Sequence, residues 1–198
     1  MRIGAMCFAQ IRDEQGRYCL LLNKGRLKHS QERILSPVGG GIEGRDAGLK
    51  HLTKLGATDF ESLPDLRFRI ADEKVAKVEE WFAKQVDREV SVLRELREEL
   101  GEETGVLSED DMQHITEKFI EASRFDAFTK RRNVAEKKTA YLIEVFQVGF
   151  PANVMRKLLE AATRPIEDRW AYFVSREEIE KGETHDSVKI GPISAYIL

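Results

Sequence analysis

The residues best suited to chemistry in this chain are the glutamates of Arg94-Glu-Leu-Arg-Glu-Glu-Leu-Gly101. On a helix, Glu95, Glu98, Glu99 and Glu102 fall at 0, +3, +4 and +7, so four carboxylates share one face. Like charges at those spacings repel by about a few tenths of a kcal/mol per pair in an isolated helix, and Arg94 and Arg97 offset part of this. A concentration of carboxylates on rigid backbone suits a hard divalent cation. Mg²⁺ takes oxygen ligands, keeps several waters and shares its remaining positions with phosphate oxygens. For the run alone, a solvated charged helix face is the plain alternative.

A second feature changes that weighting. Gly39, Gly40 and Gly41 stand in a row before the helix, where backbone must turn sharply or approach something closely. Gly40, five intervening residues, an acid at Asp46, and later R-E-L-R-E-E-L-G together resemble the Nudix box, G-x5-E-x7-R-E-U-x-E-E-x-G-U, where U is a bulky aliphatic residue. Three departures accompany the resemblance. Asp46 replaces the family's glutamate, one methylene shorter. Between Asp46 and Arg94 lie 47 residues where the pattern has seven. Asp87 lies seven before Arg94, where the cap of an uninterrupted box helix would fall, so the insertion is placed at 47–86, between Asp46 and Asp87. Glu102 takes the place of the last aliphatic residue, and this opens a second register, Glu99-Leu-Gly-Glu-Glu-Thr-Gly-Val106. That register puts Glu98 where arginine belongs and Gly101 inside the helix, at about 1 kcal/mol relative to alanine. The first register is preferred.

The resemblance implies a metal-dependent hydrolase that cleaves a diphosphate linkage in a nucleoside diphosphate derivative by attack of water on phosphorus. It implies Mg²⁺ or Mn²⁺ held by Glu98, Glu99 and Glu95, with the Gly40 carbonyl completing the sphere. Glu95 is a ligand or an activator of water, and Arg94 orients the glutamates. A general base is expected from a later loop, with Glu167 the first candidate and Glu144 the second. Glu144 shares a strand face with Leu142 and Phe146, and its plain alternative is an edge-strand charge. No residue selects among nucleoside triphosphates, dinucleotides, nucleotide sugars and capped RNA. Arg131, Arg132 and Lys137 are candidates to grip a phosphate, with a solvated hairpin tip the simpler account. The alternative function is a Nudix-like module that binds a nucleotide without cleaving it.

The elements that must position these groups read as follows. Residues 3–11 and 17–22 are short apolar strands joined by the turn Asp13-Glu-Gln-Gly16, a hairpin by its local chemistry. Lys24, Arg26 and Lys28 form a basic patch. Leu49 to Leu55 suits a short helix, and Val75, Val78, Trp81 and Phe82 recur at helical spacing, a stripe read as packing. Asp87 is an N-cap candidate for a helix whose apolar face is Val90, Leu93, Leu96 and Leu100. Lys118–Phe128 and Thr139–Phe150 are strands across a basic connection. Asn153–Ala162 is a helix with Met155, Leu158, Leu159 and Ala162 on one side. Trp170–Val174 is a strand, and Ser175-Arg-Glu-Glu178 starts a capped helix. The fold class is α/β, a Nudix-like sandwich with a mixed sheet between helices. It is read as one domain over 1–198 with a mostly helical insertion, expected to serve as a lid or dimerisation element.

Composition sets the outer bounds. With 41% hydrophobic and 34% charged residues, the 198-residue chain reads as a soluble globular protein. A net charge of -3 argues against a duplex-binding protein, which carries a concentrated basic face. Cys7 and Cys19 lack C-x-x-C spacing and read as buried, reduced thiols, and the four histidines are scattered away from any zinc pattern. Arg12 and Asp13 arrive too early for a signal peptide, and no apolar run approaches the ~20 residues that span a bilayer. The expected setting is cytoplasmic, with a small nucleotide substrate as partner, no membrane and a possible homodimer.

Overall fold

A computed structural model describes residues 1–131 and 134–198. It has the expected α/β character, with helices and two sheets, one of them mixed. The first sheet runs β4 (Gly39–Gly41), β1 (Arg2–Ile11), β7 (Val134–Gly149), β6 (Thr116–Arg131), with β5 (Arg67–Arg69) also on β1, and the second runs β8 (Ala171–Val174), β2 (Tyr18–Leu22), β3 (Ile34–Ser36), β9 (Lys189–Ile190). In the second, β3 (Ile34–Ser36) and β9 (Lys189–Ile190) are parallel, while β2 (Tyr18–Leu22) is antiparallel to β3 and to β8 (Ala171–Val174). Among the described residues no helix is long and apolar enough to cross a membrane.

The expected hairpin divides. The turn Asp13–Gly16 forms, with the Asp13 carboxylate accepting from the backbone N–H groups of Gln15 and Arg17 and Gly16 at φ +76°. The bridge Arg12–Tyr18 closes it, but β1 (Arg2–Ile11) then enters the first sheet and β2 the second. Both strands are buried nearly throughout, and a segment covered on both faces has no alternating pattern to assign it to a sheet.

Contacts divide the chain into two compact units. One comprises Met1–Cys7, Gly40–Ser91 and Glu121–Glu144. Its core includes Leu52 of α2 (Asp46–Leu55), Phe68 of β5 (Arg67–Arg69) and the stripe Val75, Val78, Trp81 and Phe82 of α3 (Val75–Ala83). The stripe is therefore packing, as its spacing predicts. At the ends of this segment Glu89 N–H donates to the Glu43 carbonyl, and Arg45 N–H to the Asp87 carbonyl. These bonds tie 43–45 to 87–89 and close the intervening chain into a loop. Gly48 is required here, since a Cβ at that position would collide with the Asp87 carbonyl and the Trp81 ring. Asp87 itself sits at φ +57°, so it serves this closure and does not cap a helix.

The same unit contains a fully buried ion pair. The Arg88 guanidinium donates to both Glu144 oxygens, at 2.9 and 2.6 Å, and stands 3.9 Å over the Phe82 ring centre. Gln85 donates to one of the same oxygens at 2.9 Å.

The second unit comprises Phe8–Gly39, Val92–Ile120 and Val145–Leu198. Helix α6 (Ala152–Ala162) buries Val154, Leu158 and Ala161, a face rotated by about one residue from that expected. Ser175 caps α7 (Arg176–Lys181) with the reciprocal Ser–Glu178 bonds its sequence predicts. The strands β6 (Thr116–Arg131) and β7 (Val134–Gly149) run further than the apolar pattern indicates. The side chains of Arg131, Arg132 and Lys137 lie outside the described residues. Both cysteines are buried and free, and burial, aided by Asp13, pushes the Cys19 thiol up to about 12.

Candidate metal and catalytic site

The glutamate helix lies in the second unit. It begins as α4 (Leu93–Leu96) and continues as a π-helical stretch, Arg97–Glu103. It starts later than Asp87, with Val92 at the N-cap position, and the Glu117 carboxylate of β6 accepts the Val92 N–H at 3.0 Å. Val92, Leu96 and Leu100 are buried, whereas Val90 is 37% exposed, so the apolar face holds for Leu96 and Leu100 only. The widened turn accommodates Gly101, and the helix closes on Gly105 at φ +63°, whose N–H donates to the Gly101 carbonyl. The Thr104 hydroxyl serves the carbonyls of Glu99 and Leu100.

The helix carries Glu95, Glu98, Glu99, Glu102 and Glu103. Arg94 forks between two of them, 2.8 Å from Glu95 and 3.0 Å from Glu98. Glu95 is buried and Glu98 partly exposed. Glu99 accepts the Gly39 N–H at 3.2 Å. Gly39 has φ +146°, a conformation that L side chains rarely adopt, and this is what the first of the three glycines supplies. Gly40 follows it in β4 (Gly39–Gly41) and belongs to the other unit.

Burial, and behind it the charges of Glu95, Glu103 and Glu98, push the Glu99 carboxyl up to about 8, against the opposing pull of the Gly39 N–H. Burial, more than the neighbouring carboxylates, sets this shift. Among the described residues no three His, Cys, Asp or Glu side chains stand close enough to hold a metal ion as they are. The donor set is nonetheless all oxygen and short of positive charge, which fits a hard divalent cation.

The chain matches the family described as the SMODS-associated NUDIX domain over residues 1–198. It belongs to the Nudix family. Neither a curated protein nor a solved structure matches it. A Nudix domain is hydrolase-like, and the box helix of this one carries its glutamates as the sequence places them.

The remaining residues expected at the site have varied positions. Glu167 is exposed on the turn Pro165–Asp168 of the second unit. Glu144 points inward as its strand face predicts, but both its oxygens are held by Arg88. A carboxylate so enclosed has no face for water, which removes it as a base. Asp46 is exposed in the first turn of α2, in the first unit, and Glu102 is exposed. Reading the sequence missed Glu103 as a neighbour of Glu99, although the second register contains it. It also missed Lys24, whose ammonium donates to the Glu103 carbonyl and lies 3.6 Å from its carboxylate.

Proposed function

We propose that this Nudix domain is a metal-dependent hydrolase cleaving a diphosphate linkage in a nucleoside diphosphate derivative. The observation that carries the reading is the arrangement of the helix: Arg94 forks between Glu95 and Glu98, and Glu99 beside them is fixed by the Gly39 N–H, an all-oxygen set that suits a hard cation. Glu95, Glu98 and Glu99 would hold Mg²⁺ or Mn²⁺. When bound, the ion neutralises phosphate charge and increases the acidity of a bound water.

The chain's own residues supply the rest. Arg94 fixes Glu95 and Glu98 relative to each other, and the Gly39 N–H fixes Glu99. Ligands fixed in this way need no reorganisation as charge develops on the phosphoryl and leaving oxygens. Glu167 accepts the proton of the attacking water as the oxygen–phosphorus bond forms. The bond to the bridging oxygen breaks, and the leaving phosphate carries the electron pair.

The test is phosphate or nucleotide release from a panel of nucleoside diphosphate derivatives, with Mg²⁺ and then Mn²⁺, for wild type and Glu98→Gln. Metal-dependent turnover lost in the variant supports the reading. Absence of turnover on every compound, with tight binding of one, replaces it with a nucleotide sensor.

A further inference from the structure

The basic patch of the sequence folds into α1 (Lys24–Ser30), which carries Lys24, Arg26 and Lys28 and no acidic residue. Lys24 is the member that reaches the glutamate helix. Its ammonium donates to the Glu103 carbonyl, lies 3.6 Å from the Glu103 carboxylate, and stands 5.0 Å from the centre of the Trp170 ring. All three residues belong to the second unit. Glu103 lies four residues beyond Glu99 on the same helical stretch, Arg97–Glu103, so a cation and an indole adjoin the end of the glutamate helix.

The pairing is loose. The side chains of Lys24 and Glu103 are 32% and 51% exposed, and ion pairs this open to water add little to folding. Lys24 can therefore exchange one anionic partner for another at little cost. An indole face accepts either a cation or a planar ring. A ligand carrying both a phosphate and an aromatic base engages both groups at once.

We propose that Lys24 and Trp170 form the recognition end of the substrate site. The ammonium leaves Glu103 and the ring face to bind a phosphate of a nucleoside diphosphate, and the vacated Trp170 face stacks the base. This rests on the hydrolase reading for its substrate class. It adds the residues that hold the substrate. Arg26 and Lys28 contribute a positive field at the mouth of the site.

The protein has two tryptophans, so Trp81→Phe leaves Trp170 as sole reporter. ADP, GDP, CDP and UDP are mixed with this variant in a stopped flow with Mg²⁺, alone and with Lys24→Met added, and adenosine serves as a base without phosphate. The expected result is quenching of Trp170 by at least one diphosphate. Lys24→Met then weakens that ligand by about tenfold or more and does not weaken adenosine. Trp170→Leu, followed by calorimetry, weakens the same diphosphate by roughly tenfold or more, as loss of one stacked base does. Unchanged diphosphate affinity in Lys24→Met, or no response of Trp170 to any of the four, overturns the proposal. Turnover is measured separately with Glu98→Gln. Turnover with unaltered Lys24→Met binding sinks only the recognition pair, whereas Lys24-dependent binding without turnover sinks only the hydrolase.

Discussion

Removing the charge of Glu99 should stabilise the metal-free protein at high pH and do nothing at low pH. In the fold its carboxyl is pushed from 4.5 to about 8, first by burial and then by Glu95, Glu103 and Glu98. A proton held in the folded state and released on unfolding adds stability that is complete below the unfolded pKa. That stability is lost as pH rises through the folded one. Each tenfold difference in proton affinity between folded and unfolded chain is worth about 1.4 kcal/mol, so the loss between pH 4.5 and 8 is at most about 5 kcal/mol. Water at the open side of the helix screens the repulsion, and roughly half of that figure is the value to expect. Glutamine in place of Glu99 keeps the shape and the acceptor for Gly39 without the charge. Urea unfolding of Trp81→Phe, with and without Glu99→Gln, would be followed through Trp170 in EDTA from about pH 5.5 to 8.5. The two stability curves should separate by about 2–3 kcal/mol across that range, with glutamine the more stable at the alkaline end. Adding Mg²⁺ should narrow the gap by raising only the wild-type curve. Parallel curves in EDTA would show that Glu99 is ionised throughout and that the cluster is not short of positive charge.

Two further outcomes follow from the same geometry. Glu144→Gln should destabilise the first unit by about 3–5 kcal/mol, because it leaves Arg88 buried without a counter-charge, whereas Arg88→Met with Glu144→Leu should cost much less; urea unfolding followed through Trp81 in a Trp170→Phe background separates the two. Gly39→Ala should cost about 1–2 kcal/mol from its backbone conformation. By loosening the N–H that opposes protonation of Glu99, it should also move that carboxyl above about 8, read by NMR titration.

What the sequence made legible was chemistry set by short spacings, and what it hid was chemistry set by distant partners. Glutamates three and four apart must share a helix face, and Ser175 with Glu178 must form a cap, because both depend only on local geometry. Asp87 carried the right local signal for a cap. Its carbonyl instead receives the Arg45 N–H, while the N–H of Val92, the actual N-cap position, goes to Glu117, 25 residues further on. The same holds for Glu144, whose inward direction follows from alternation but whose partner Arg88 is 56 residues away. The Asp13–Gly16 turn was readable, yet the sheets its two strands enter are decided by contacts that no turn residue records.

The two readings of the box show why the site itself was only partly visible. Each register assumes a helix of uniform pitch that ends at its own glycine, Gly101 or Gly105. The helix instead passes through Gly101 as a π-helical stretch and ends at Gly105. A single continuous helix thus presents glutamates of both registers. Glu99 belongs to each register, as the final glutamate of the first and the leading one of the second. It is also the residue on which Glu95 and Glu98 from one side and Glu103 from the other exert their charge. The pattern match treats these as competing alignments, but electrostatics does not. Three carboxylates bear on Glu99, and the cation demand there is set by all of them together with burial. This is why Glu99, more than either flanking pair, is where a charge-removing substitution should speak most clearly.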